Sequence, residues 1–166
     1  GTSTSYEDMA RYDADDDADI RFTANNGNAI DIFAGSELHV AAGSEFSPGA
    51  VTLTTNSNGP SSSFPSGNVH LATNATSSIL TLGAAMSVAG SWFASSTSRL
   101  NHGNQTVTFN ATTTGKQIFA TSTNFYAIDF SGSGGTGGGW TFSDNATTTN
   151  NFTITNGAVT APNSTK

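Results

Sequence analysis

The densest group of carboxylates in the chain is Asp13-Ala14-Asp15-Asp16-Asp17-Ala18-Asp19. Asp13, Asp15, Asp17 and Asp19 alternate, which is the spacing of side-chain ligands in calcium loops. Calcium takes roughly six to eight hard oxygens, and carboxylates crowd together at low cost only around a cation. The run departs from the EF-hand pattern. Ala18 stands where the turn glycine belongs, and Ala24 where the closing glutamate belongs. These four aspartates are the candidate calcium ligands, and a solvated acidic turn is the competing reading.

Other residues carry less. Asp129 and Asp144 are the only acids after Glu45. A glycoside hydrolase needs two carboxyls about 5 to 9.5 Å apart, so the pair is worth placing in the fold. Cleavage of acidic glycans also calls for clustered cations, and only Arg99 and Lys116 lie between Arg21 and the last residue. His39 and His70 each sit between two apolar residues, which points them outward from a strand, and His102 lies in a turn, Asn101-His-Gly103. None has the spacing of a metal motif, and no Gly-x-Ser-x-Gly elbow accompanies the 22 serines. The glycine run Ser131–Gly139 is followed by neither Lys-Ser/Thr nor a helix, so it reads as a flexible turn rather than a phosphate loop. Trp92, Trp140, Tyr126 and the phenylalanines can form either a core or a sugar-stacking platform, and their period-two placement favours core. The pairs Thr121/Thr123 and Thr153/Thr155 resemble ice-binding faces but recur at no fixed interval.

The elements that hold these residues are short strands. Ile30-Asp-Ile32, Leu38-His-Val40, Val51-Thr-Leu53, Val69-His-Leu71, Leu80-Thr-Leu82, Val107-Thr-Phe109, Trp140-Thr-Phe142 and Phe152-Thr-Ile154 all alternate apolar and polar. Such alternation marks strands with one buried face. Asn, Gly, Ser and Pro punctuate them, as at Asn58-Gly-Pro60 and Asn156-Gly157. No window shows convincing helical periodicity; Ala84-Ala-Met86 is the best candidate. Thr, Ser and Asn total 64 of 166 residues, whereas Val, Ile, Leu and Phe total only 30. A core this lean suits shared stacking better than a globule. The motif Asn-Ala-Thr recurs at Asn74, Asn110 and Asn145, spaced 36 and 35 residues apart, which predicts a solenoid period.

Net charge is -7, and ten of the twelve acids lie between Glu7 and Glu45. From Phe46 to Ile128 there is none. The lack of basic clusters excludes nucleic acid and anionic membrane as partners. No apolar stretch is long enough to insert as a membrane helix. The absence of cysteine, with so few Lys and Arg, suits an extracellular protein that folds without disulfides.

Three stretches, Val88-Ala-Gly-Ser-Trp92, Thr106-Val-Thr-Phe-Asn-Ala-Thr-Thr-Thr114 and Asn145-Ala-Thr-Thr-Thr149, share one style of Thr- and Asn-rich repeat. On these, from Val69 to Lys166, the sequence resembles the Thr/Asn-rich tandem-repeat regions of large secreted bacterial surface proteins of the adhesin type. It implies β-solenoid stalks without catalytic residues.

The expectation is an all-β chain: an acidic polar leader over 1–19, then a right-handed parallel β-helix or β-solenoid over 20–166, with a β-sandwich as alternative. Its expected role is a secreted or cell-surface structural or adhesive module. Its partners would be other copies of itself, assembling into a filament, or further repeats of a longer chain. A glycan-binding module is the alternative and a polysaccharide-acting enzyme the third reading.

Overall fold

In the computed structural model the described residues are 30–32, 38–40, 42–55, 67–71, 77–121, 123–133 and 137–162. The aspartate run of residues 13–19, with the leader, lies outside them.

The described residues form a parallel β-solenoid without helix. Each turn of chain lays down three short strands on three faces. The first rung is β1 (Ile30–Ile32), β2 (Leu38–Val40) and β3 (Glu45–Phe46). The second is β4 (Leu53–Thr55), β5 (Val69–Leu71) and β6 (Ile79–Thr81), and the third is β7 (Met86–Val88), β8 (Trp92–Ala94) and β9 (Arg99–Asn101). The fourth is β10 (Thr106–Phe109), β11 (Lys116–Phe119) and β12 (Asn124–Phe125); the fifth is β13 (Ala127–Ser131), β14 (Gly139–Phe142) and β15 (Thr147–Thr148). Strands β16 (Phe152–Asn156) and β17 (Ala158–Thr160) begin a sixth. Face one runs β1-β4-β7-β10-β13-β16, and face two runs β2-β5-β8-β11-β14-β17. Face three is split into two sheets, β3-β6-β9 and β12-β15. The turn Asn156-Gly157, which could have closed a hairpin in the alternative sandwich, is a corner of the solenoid. It joins β16 and β17, which pair in parallel with different neighbours.

Stacking in register places like residues over like. On face one Leu53, Met86, Val107, Ile128 and Phe152 form one inward column, and Thr55, Val88, Phe109, Phe130 and Ile154 belong to the next. The interior is aliphatic in the lower rungs and aromatic higher up. Phe109 and Phe130 stack with ring centroids 5.1 Å apart, Trp92 lies 5.2 Å from Phe125, and Phe130 lies 5.0 Å from Trp140. Each fully buried side chain of this size contributes about 1.5–3 kcal/mol. Shared among rungs, a few such residues per turn suffice where a lone unit would have no inside.

The rung length is not the motif spacing. Leu53, Met86, Val107, Ile128 and Phe152 are successive partners, so rungs take 33, 21, 21 and 24 residues. Asn110-Ala-Thr follows β10 at the corner between faces one and two, whereas Asn145-Ala-Thr147 leads into β15 at the corner between faces two and three. The 35-residue interval therefore marks two inequivalent corners. Asn74 lies outside the described residues. The Ala84-Ala-Met86 patch is likewise not helical; Met86 opens β7.

Corners are held by side chains that reach the backbone of adjacent rungs. Thr55, fully buried, donates its hydroxyl to the Gly67 carbonyl at 2.5 Å and accepts the Ala89 amide at 3.1 Å. Asn68 Oδ1 accepts the Ser91 amide at 2.7 Å, and Ser91 Oγ accepts the Gln117 amide at 3.0 Å. Hydroxyl residues precede the face-three strands at Ser44, Ser78, Ser98 and Thr123. Ser78 donates to Ser98 Oγ at 3.1 Å, and Ser98 donates to the Leu71 carbonyl at 3.0 Å. The described glycines just before β14 pack closely against the Trp140 ring and the next corner. A Cβ on Gly138 would sit 2.6 Å from the Trp140 ring, and one on Gly157 would sit 2.7 Å from it.

Candidate functional site

Three surfaces stand out from an exterior otherwise made of hydroxyls and amides. The first is the upper end of the stack. In the lower rungs each inward residue is roofed by the next rung, but β16 has no rung above it among the described residues. Phe152 is 49% exposed and Ile154 is 50% exposed, and they are the only large exposed hydrophobics among the described residues. They continue the two inward columns of face one. With Phe142, Ala146, Val159 and Pro162 they line a hollow of about 440 Å³. Phe152 lies 5.5 Å from Phe130 and 6.2 Å from Phe142, ring centroid to ring centroid. The terminal rung thus offers an apolar core cross-section beside strand edges of β16 and β17, which is the geometry onto which a further rung adds.

The second surface is the outside of face two. His39, His70 and Phe93 pair in register, and Phe119 follows Phe93. The histidines point outward as the alternation predicts. His39 and His70 lie 6.0 Å apart, His70 and Phe93 stack at 4.5 Å, and Phe93 and Phe119 stack at 5.5 Å. The reading of the phenylalanines as core does not hold for these two. The signal was present in Trp92-Phe93: consecutive residues of a strand face opposite ways, so one of two adjacent aromatics must point out. His39 meets His70 edge to face, whereas from His70 through Phe93 to Phe119 the rings stack along the axis, so their faces cover one another and that stretch presents edges. The tryptophans weighed for a sugar platform are core: Trp92 and Trp140 are buried, and neither indole N–H finds a partner among the described residues. Tyr126 lies half-buried beside His102, 5.6 Å between rings.

The third surface is a polar groove of about 620 Å³ on face three. It lies where the sheet is split, between β9 and β12, with Arg99 and Asn101 on one side and Asn124 on the other.

The candidate carboxyl pair divides between two tasks. Asp129 points outward on face one and accepts the Thr155 hydroxyl at 2.8 Å. Asp144 lies at the corner after β14 and accepts the amides of Ala120 and Thr121, each at 2.7 Å. Among the described residues no group of three or more His, Asp or Glu side chains converges to hold a metal. No described helix is long and apolar enough to cross a membrane.

Comparison with family models, with curated proteins and with solved structures finds no match. The reading of function therefore rests on these surfaces alone.

Proposed function

We propose that the chain is a non-enzymatic extracellular structural or adhesive repeat module. It stacks end to end with other copies of itself, or with further rungs of a longer chain, to build a surface filament. The observation that carries this reading is the terminal rung. Phe152 and Ile154 extend the core columns into solvent, and apolar area of this kind stabilises by about 25 cal/mol per Å² once covered. A partner rung also satisfies the open backbone edge, so apolar burial and hydrogen bonding favour the same event. Hydroxyls and amides make up most of the sides, which favours association at the ends. The separate engagements of Asp129 and Asp144 favour a non-catalytic role.

Sedimentation velocity over a wide concentration range, with electron micrographs of the same samples, tests the proposal. Concentration-dependent growth into rods of uniform width is expected. Monodisperse monomers at every concentration would remove the self-assembly reading.

A further inference from the structure

The groove on face three differs from the rest of the surface in charge. No acid occurs from Phe46 to Ile128, so the three middle rungs carry Arg99 and Lys116 as their only formal charges. Arg99 is exposed and lies in the groove lining. Around it stand Ser77, Ser96, Thr97, Asn101 and Asn124, which supply hydroxyls and amides able to donate or accept. Among the described face-three strands the one acid is Glu45, which lies two rungs below and accepts the Thr81 hydroxyl at 3.0 Å. Arg99 therefore lines the groove with no carboxylate beside it among the described lining residues.

We propose that this groove binds the carboxylate-bearing sugar units of an acidic glycan, with Arg99 on the carboxylate and the amides and hydroxyls on the ring hydroxyls. The proposal rests on the adhesive half of the function above and names its ligand class. Three features of the lining select the ligand. A guanidinium presents parallel donors that match a carboxylate. Several neutral groups that can both donate and accept suit a polyhydroxylated ring. The described lining residues include no aromatic ring, so among them a nucleotide base would find nothing to stack on. The volume of the groove is in the range of small-ligand sites. Its place at the split of face three accounts for its existence: β9 and β12 touch without forming a ladder, and the gap between them is the groove.

Isothermal titration of the intact protein with glucuronic acid, glucose and acetate is the test. Glucuronate is expected to bind in about the millimolar range, with glucose and acetate each about tenfold weaker. Arg99→Gln should weaken glucuronate about tenfold, and Lys116→Gln should leave it unchanged. Because Arg99 is exposed and Lys116 partly exposed, both variants should keep the parent's circular dichroism and melting temperature. Equal binding of glucose and glucuronate, equal binding of acetate and glucuronate, or no glucuronate binding overturns the proposal. Assembly is scored in the same samples: glucuronate binding without rods supports the groove and removes only the filament, whereas rods without glucuronate binding remove the groove.

Discussion

Asp144 clamps Thr121 across one rung. Its Oδ2 accepts both the backbone N–H of Thr121 at 2.7 Å and the side-chain hydroxyl at 2.5 Å. Oδ1 takes the Ala120 amide. Thr121 has φ of +31°, an uncommon conformation for a β-branched residue. The carboxylate thus compensates for a backbone shape that the local sequence disfavours. Asp144→Ala is expected to lower unfolding free energy by about 1–3 kcal/mol. Asp144→Asn should recover part of the loss, because its single carbonyl oxygen can still accept from an amide. Urea denaturation of the three proteins measures both.

Thr55 is a hydroxyl among hydrocarbons, and its two bonds explain its place in an otherwise apolar column. Thr55→Val keeps the shape but strands the Ala89 amide and removes the donor to the Gly67 carbonyl. A loss of about 1–3 kcal/mol is expected. Thr55→Ser, which keeps the hydroxyl, should cost less. A melt in which the valine variant equals or exceeds the parent would show that these bonds contribute no net stability.

The aromatic interior predicts a gradient of sensitivity. Phe109 is fully buried and touches Trp92, Phe125 and Phe130. Phe109→Ala should cost about 3–5 kcal/mol, because rigid neighbours cannot collapse into the space. Phe119, on the outer face-two column, should cost clearly less when changed to alanine. Comparing the two denaturation midpoints checks the assignment of inward and outward faces.

Phe152→Asp and Ile154→Asp test the stack end. Each side chain is about half exposed, so a charge there remains solvated and the parent melting temperature should change little. Stacking against another rung would bury that charge at a cost of several kcal/mol. Rod formation should therefore disappear in both variants while the monomer fold persists. Rods of undiminished length in both would mean that the contact lies elsewhere.

How legible was all this beforehand? Strands with two inward apolar residues could be read directly, as at Leu38–Val40, Val69–Leu71 and Val107–Phe109. Strands with a single inward residue gave no period to detect, as in β9, where only Leu100 faces the interior between Arg99 and Asn101. The repeated Asn-Ala-Thr indicated a solenoid correctly but gave the wrong rung length, because its copies serve different corners. The histidine orientations followed from alternation, and the Phe93 and Phe119 column needed the register that joins β8 to β11. An open apolar end follows from any uncapped solenoid, but the residues that form it, Phe152 and Ile154, and the groove were not visible in the chain, since both depend on which strand lacks a neighbour.

The interruption of face three also has a mechanical meaning. Above and below it, adjacent rungs are laced together on three sides; between β9 and β12 the lacing is continuous on only two. Load applied along the axis concentrates at such a notch, so the lower three rungs and those above should part there first. Amide exchange fastest along β9 and β12 would locate that crack line while the molecule is still folded.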